Sequence, residues 1–178
     1  DNEAELTMKM DRLGELAEKV GAYDVLVVWT ASLKKDVWAA RSAFLTVIEA
    51  ETKLLDEMDV VVPVDRIADF LVYSHDVAEE NGLRLRSFGH AGDGNLHIYC
   101  CSNDLDEAEF KRRTKLIMDK CYAKCTEFGG QVSGEHSIGH AKKEYLRESV
   151  GDTAYGLMGA IKKVFDPDGI LNPGKVCM

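Results

Sequence analysis

Apolar residues recur at helical spacing in the first part of the chain. The residues that share this spacing of three to four positions are Leu6, Met10, Leu13, Ala17 and Val20. They predict an amphipathic helix over about residues 3–20, ended by Gly21. The apolar run at 25–29 is typical of a buried strand, and a second helical period predicts a helix from about 32 to 58.

The middle of the chain combines short apolar segments with alternating ones. Residues 60–62 are apolar and predict a short strand, and the segment 64–80 again has helical spacing. Apolar and polar residues then alternate in 83–87 and in 96–100, on the two sides of a glycine-rich turn. Because side chains alternate between the two faces of a sheet, this pattern predicts two half-buried strands.

Helical spacing returns over about residues 104–128 and in two further stretches, ahead of a turn-rich tail at 166–169. Helices and antiparallel strands in this order predict an α+β sandwich. We expect an antiparallel sheet with helices on one face and further helices at the C-terminal end. No linker or repeat interrupts the pattern, so a single domain is expected over residues 1–178.

The composition narrows the class of protein. The 178 residues are 46% hydrophobic and 30% charged, with only 3 prolines, as in a folded globular domain. A net charge of -9 without a basic stripe makes nucleic acid a poor partner. No apolar run approaches the roughly 20 residues of a membrane-spanning helix, and the acidic start lacks the basic flank of a signal peptide. We expect a cytoplasmic location, with peripheral attachment to the inner membrane as an alternative.

The cysteines are five, an odd number, and they lack the paired spacing of a zinc ribbon. Cys121 and Cys125 continue the apolar stripe of the helix predicted over 104–128, which favours core packing over redox or metal chemistry. Cys100 and Cys101 end an apolar strand. A structural role is therefore predicted for these four thiols.

Candidate chemistry is concentrated in two glycine-rich segments that hold four of the five histidines, HAGDGNLH and GEHSIGH. His90 and His97 lie seven residues apart across the first segment, so a hairpin could bring both imidazoles to one point. Glu135 adds a carboxylate beside His136 in the second segment. Two imidazoles and one carboxylate suit zinc, manganese or iron with open coordination positions, as a catalytic metal requires.

Other interpretations of these segments remain open from the residues alone. His90 and His97 could be hydrogen-bonded residues of a tight hairpin. A phosphate cradle is disfavoured, because no helix follows the glycine-rich turn. Neighbours on an extended strand point to opposite faces, so Glu135 and His136 could serve one site only where the backbone turns.

Several motifs together resemble the C-terminal domain of FAD-linked oxidases and dehydrogenases. They are HAGDGNLH at 90–97, GEHSIG at 134–139 followed by Lys142, DPDGILNPGK at 166–175, and the shorter matches WAAR at 38–41 and DVVVP at 59–63. Relatives of this kind in the vanillyl-alcohol oxidase superfamily include glycolate oxidase, D-lactate dehydrogenase and D-2-hydroxyglutarate dehydrogenase. The resemblance implies a ferredoxin-like substrate or cap domain over residues 1–178, whose FAD is held mainly by a separate N-terminal domain absent from this sequence.

The resemblance also implies roles for individual residues. A divalent ion held by His90, His97 and Glu135 would chelate a 2-hydroxy acid, and His136 would take the hydroxyl proton while hydride leaves to the flavin. Arg41 would bind the substrate carboxylate through its planar fork. In the tail, Asn172 is expected near the flavin.

The resemblance favours short substrates. Ser137 replaces the glycine that is common in the family's second motif, and Glu57 stands where relatives that oxidise diacids often carry a lysine. A negative charge there would oppose a second carboxylate, so D-lactate or glycolate is favoured over 2-hydroxyglutarate. Lys142 and Lys143 are expected at a solvated helix end.

The expected function is thus half of an FAD-dependent 2-hydroxy acid dehydrogenase or oxidase, inactive as the isolated chain. Its partners would be the FAD-binding domain or subunit, with an electron-transfer flavoprotein, an iron–sulfur subunit or a second copy of the chain as further candidates. One alternative is a non-catalytic subunit that binds a divalent metal and assembles with a flavin domain. A second is a metal-dependent hydrolase that uses His136 as its base.

Overall fold

The computed structural model describes residues 2–177, and the chain divides into two compact units at Phe44. In the first unit, α1 (Glu3–Lys19) begins where the Asn2 side chain accepts a hydrogen bond from the Glu5 amide at 2.9 Å. Helix α2 (Ala31–Ser42) begins in the same way at Thr30. Both side chains satisfy amides that a helix start leaves unpaired. The first predicted helix is confirmed.

The strand predicted over 25–29 is wrong. This segment is irregular and Leu26 is 81% exposed. Among residues 2–44 the structure has helices and irregular backbone only, so an extended segment finds no strand with which to pair. An apolar run predicts burial, but pairing decides whether a strand forms.

The helix predicted from 32 to 58 is also partly wrong. Helix α2 ends at Ser42, a short helix α3 covers Phe44–Glu51, and β1 begins at Leu54. Met58 and Val60 are fully buried on one face of β1, and they pair with neighbours on another strand. Here tertiary pairing overrides the helical propensity of a segment rich in leucine, glutamate and methionine.

The second unit is built on a three-stranded antiparallel sheet of β1 (Leu54–Val61), β2 (Arg84–His90) and β3 (Asn95–Ser102). Strand β3 lies in the centre, so β1 and β2 are parallel to each other and are joined by a helix. An antiparallel bridge from Gln131 to Val61 continues the sheet beyond β1. This order of strands and helices is the ferredoxin-like pattern, and the predicted α+β fold is confirmed.

Two helices cover one face of the sheet. They are α4 (Ile67–Glu80), which follows a 3-10 turn at Val64–Arg66, and α5 (Glu107–Glu127). Phe70 of α4 and Ile117 of α5 are fully buried against that face. Burying side chains of this size contributes about 1.5–3 kcal/mol each. Cys121 and Cys125 of α5 are also buried in this core, as predicted.

The last helix, α6 (Lys143–Phe165), is interrupted at Gly151, where φ is 77°. This break accounts for the two helical stretches that the sequence predicts. Its C-terminal half exposes an apolar stripe of Leu157, Ile161, Val164 and Phe165. Within residues 2–177, no helix has a stretch long and apolar enough to cross a bilayer.

Candidate functional site

The candidate site lies on the sheet face opposite α4 and α5. Strand alternation turns Glu57 and Asp59 of β1 away from the apolar core, and the register places them beside Tyr99 and His97 of β3. His90 stands at the end of β2, two strands away from Asp59. Three strands therefore each supply a polar side chain to one surface.

Asp59 is the residue that shapes the loop carrying Glu135 and His136. It is 1% exposed, and its Oδ2 accepts hydrogen bonds from the amides of Gly134 at 3.0 Å, Glu135 at 3.2 Å and His136 at 2.9 Å. The Ser133 hydroxyl donates to the same oxygen at 2.9 Å. Since consecutive amides converge on one carboxylate, the backbone bends there. Glu135 and His136 are thereby directed to one site, although they are neighbours in the chain.

Lys142 balances this buried charge. Its ammonium lies 3.1 Å from Asp59 Oδ2, and the residue is 8% exposed. Burial alone would raise the pKa of Asp59. The hydrogen bonds from the His136 amide and Asn95, together with the nearby Lys142 ammonium, lower it by more, so the pKa lies well below its ordinary value. The prediction that Lys142 ends a solvated helix is wrong, because a buried carboxylate requires a counter-charge.

Two backbone positions make the bend sterically demanding. A Cβ at Gly134 would collide with the Asn95 side-chain amide, which itself donates to Asp59 Oδ1 at 2.7 Å. Ser137 has φ of 63°, in the left-handed region that favours glycine. The conformation explains why glycine suits position 137.

The loop that carries Glu135 and the hairpin formed by β2 and β3 bring three candidate metal ligands together. Glu135 Oε1 lies 2.9 Å from His97 Nε2 and 3.7 Å from His90 Nε2. One ligand atom from each residue lies within 4.8 Å of the other two. Ligands at zinc distances around a tetrahedral ion are about 3.4 Å apart. The three side chains therefore fit a divalent cation with an open position.

The ring of His97 packs against two aromatic neighbours, and it is stacked on that of His136. The ring centroids of His97 and His136 are 4.8 Å apart and those of His97 and Phe88 are 5.4 Å apart. His97 is only 3% exposed, whereas His90, Glu135 and His136 are partly open to solvent. The cluster thus has a closed side on the sheet and an open side through which a small molecule could reach it.

A second carboxylate faces the other nitrogens of two histidines. Glu57 Oε1 lies 3.1 Å from His136 Nδ1 and 3.4 Å from His97 Nδ1, and it accepts a hydrogen bond from the Tyr99 hydroxyl at 2.9 Å. Burial, followed by this hydrogen bond to Glu57, raises the pKa of Tyr99 well above its ordinary value. The phenol therefore stays protonated and acts as a donor.

The remaining predicted residues lie elsewhere in the chain. Arg41 is partly buried at the end of α2 in the first unit, and its role in substrate binding stays a prediction. Asn172 is exposed in the C-terminal turn, with φ of 45°. That turn is tied to the loop that carries Glu135 and His136, called the site loop below, because the Val176 amide donates to the Gly139 carbonyl at 2.8 Å. His140 lies beside the same turn, 3.4 Å from the Gly174 carbonyl.

The sequence interpretation missed Asp59, Asn95 and Lys142 as parts of the site. One signal was present: Asp59 stands between Met58 and the apolar run at 60–62. Its partners, however, lie more than 30 positions away in the chain. Spacing alone does not reveal such contacts.

The chain is similar to known proteins over almost its whole length. Residues 1–176 match the family model described as FAD linked oxidases, C-terminal domain. The chain is 55% identical to a D-lactate dehydrogenase of Anaerostipes hadrus over 99% of its length, 33% identical to glycolate oxidase subunit GlcD of Bacillus subtilis over 86%, and 34% identical to a D-lactate dehydrogenase of Archaeoglobus fulgidus over 99%. It spans 37%, 33% and 40% of those three relatives. The chain belongs to the FAD-linked oxidase family and corresponds to its C-terminal domain.

Proposed function

We propose that this chain is the substrate- and metal-binding half of an FAD-dependent 2-hydroxy acid dehydrogenase or oxidase. The observation that carries the proposal is the convergence of His90, His97 and Glu135 within reach of one cation, with His136 stacked on His97. The similarity to D-lactate dehydrogenases and to a glycolate oxidase subunit supports oxidation of a hydroxy acid to a 2-oxo acid.

His90, His97 and Glu135 would hold a zinc, manganese or iron ion. Such an ion, when bound, polarises a coordinated oxygen and favours loss of its proton. His97 is buried and packs against the rings of Phe88 and His136, which restricts its orientation and preorganises the ligand set. The more exposed His90 and Glu135 would complete it from the open side.

His136 would accept the proton of the substrate hydroxyl. Its Nδ1 faces Glu57, so Nε2 is the atom available for this transfer. Imidazole is the side chain used most often for proton transfer near neutral pH. The His136 amide donates a hydrogen bond to Asp59, which holds the backbone of His136 in place.

The charge distribution supports a monocarboxylic substrate such as D-lactate or glycolate. Glu57 and Glu135 both contact the imidazoles of the cluster. A second carboxylate on the substrate would be repelled in this environment. Arg41 would bind the single carboxylate, because a guanidinium makes two parallel hydrogen bonds to it.

The chemistry also needs a flavin-binding partner, as a separate domain or subunit. The relatives are more than twice as long as the stretch that matches this chain. The exposed apolar stripe of α6 is a surface that such a partner could cover. FAD would supply hydride acceptance, and an electron-transfer flavoprotein or an iron–sulfur subunit could receive the electrons.

A chimaera tests this proposal. Residues 1–176 would replace the matching segment of the Anaerostipes hadrus D-lactate dehydrogenase, so that its own flavin domain is retained. We expect D-lactate to reduce the flavin, and His136→Gln to lower kcat by about 100- to 10,000-fold. The matched control is His75→Ala, since His75 is an exposed histidine on α4.

The outcomes separate the alternatives. A chimaera that folds and binds FAD and metal but oxidises no hydroxy acid would favour a non-catalytic assembly subunit. Ester or amide hydrolysis by the chain without flavin would favour a hydrolase. Full activity of the His136→Gln chimaera would remove His136 as the base.

A further inference from the structure

We propose that Glu57 is a positioning residue whose single oxygen, Oε1, fixes the tautomers of both His97 and His136. This inference rests on the proposed function, because it assigns His97 Nε2 to the metal and His136 Nε2 to the substrate proton. It goes beyond that function because it makes Glu57 the common cause of metal coordination by His97 and proton acceptance by His136.

The contacts of His97 point in two directions. Its Nε2 lies 2.9 Å from Glu135, on the side of the candidate metal, and its Nδ1 lies 3.4 Å from Glu57. Nδ1 is buried and has no hydrogen bond in the part of the chain that the structure describes. Glu57 Oε1, at 3.4 Å, is the carboxylate oxygen that faces this nitrogen.

His136 presents the same nitrogen to the same oxygen. Its Nδ1 lies 3.1 Å from Glu57 Oε1, and its ring stacks on that of His97 at 29°. The two imidazoles are thus oriented alike with respect to one carboxylate. The Tyr99 hydroxyl, which donates to this oxygen at 2.9 Å, fixes the carboxylate in turn.

The chemical consequence follows from the tautomers of imidazole. A neutral ring carries one proton, and a carboxylate beside one nitrogen keeps that proton there. The other nitrogen then has a free lone pair. With its proton on Nδ1, His97 can coordinate through Nε2 and His136 can accept a proton at Nε2. Without Glu57, either ring could adopt the tautomer that blocks its function.

Glu57, His97 and His136 also lie close enough together to form a second cation site. Occupying both sites would require His97 to bind one ion through each nitrogen, which demands that the ring lose both protons. This requirement favours a single ion and a proton on His97 Nδ1.

The test uses Glu57→Leu, which removes the acceptor, and Glu57→Gln, which keeps an acceptor oxygen but removes the charge. Glu51→Leu is the matched control, because Glu51 is an exposed glutamate 3.7 Å from Arg86. Histidine 15N NMR of the metal-free chain reports the tautomers. Competitive titration with Zn²⁺ reports affinity and stoichiometry.

We expect the wild-type chain to hold protons on Nδ1 of His97 and His136 and to bind one Zn²⁺. In Glu57→Leu the Nε2-protonated tautomers should appear, and Zn²⁺ affinity should fall about 10- to 100-fold. Glu57→Gln should lie between, and Glu51→Leu should match the wild type. If Glu57→Leu does not fold, the comparison of Glu57→Gln with wild type decides.

Unchanged tautomers and unchanged affinity in a folded Glu57 variant would overturn the inference. So would two bound Zn²⁺ ions of which one is lost with Glu57. Failure of the wild type to bind Zn²⁺ would instead count against the proposed metal site, and the NMR comparison would still decide whether Glu57 sets the tautomers.

Discussion

Neighbouring residues on the two faces of the sheet in the second unit are buried by different means. Met58 and its neighbour Asp59 are 0% and 1% exposed, yet one packs among apolar side chains and the other accepts hydrogen bonds. On the central strand, Ile98 likewise packs in the apolar core, whereas the neighbouring His97 contacts Glu135 and the ring of His136. The apolar face is stabilised by contacts without preferred direction, and the polar face depends on particular partners. The difference indicates that exact side-chain positions matter more on the polar face than on the apolar face.

The largest loss of stability is expected from a substitution at the centre of the polar face. Asp59→Ala would leave Lys142 buried without its counter-charge and would release the amides of the site loop. Removing one partner of a buried pair costs about 3–5 kcal/mol. Chemical denaturation should show this loss, and Asp69→Ala, an exposed carboxylate paired with Arg66, should cost no more than about 1 kcal/mol.

Acid should reduce the difference between wild type and Asp59→Ala. The pKa of Asp59 in the folded chain is below its ordinary value, so its contribution is complete above about pH 4 and decreases as the pH falls further. A difference in unfolding free energy that grew on acidification would contradict this account of Asp59.

The apolar face should lose somewhat less when one of its side chains is shortened. Ile117→Ala would leave a cavity beneath the sheet and cost about 2–5 kcal/mol. Zn²⁺ affinity should be retained, because the cavity lies on the opposite face from the site. The adjacent Leu116, which is exposed, provides the control and should change stability by about 0.5 kcal/mol or less on truncation. Equal losses of stability from Ile117→Ala and from truncation of Leu116 would contradict the assignment of Ile117 to the core.

Steric substitution at the loop should have a smaller effect that is still specific to the polar face. Gly134→Ala would push against Asn95 and should cost about 1–3 kcal/mol. Gly156→Ala in α6 meets open space and should be neutral or stabilising by about 0.5–1 kcal/mol. Thermal unfolding compares the two, and a neutral Gly134→Ala would indicate a looser loop than the one described.

Thiol labelling should distinguish the buried cysteines of the apolar face from the partly buried Cys177, and this is the smallest effect expected. Burial raises the pKa of Cys100 and Cys125 to about 12 and that of Cys121 to about 11, so very little thiolate forms at pH 8. Cys177 is only partly buried. A thiol reagent should modify Cys177 first and the others after unfolding. Rapid labelling of Cys121 in the native chain would mean that the core of α5 opens readily.

The sequence predicts the apolar face better than the polar one, for a physical reason. Periods of two and of three to four residues report burial directly, and they identified both strands of the hairpin and the core position of Cys121. The start of β1 was missed because its pairing with β3 is a long-range contact. Lys142 was misplaced for the same reason, since its partner Asp59 lies 83 positions away. The candidate ligand set came from the order of the motifs and stays a prediction. The sequence required a bend at Glu135 and His136, but it did not reveal the Asp59 contacts that form it.

Metal content decides whether His90, His97 and Glu135 hold one divalent ion, as we propose. The purified chain, exposed to excess Zn²⁺ and dialysed, should retain about one equivalent by elemental analysis. His97→Ala should retain none, while His75→Ala should match the wild type. A folded His97→Ala chain that retains its full equivalent, or a wild-type chain that retains none, would contradict the claim.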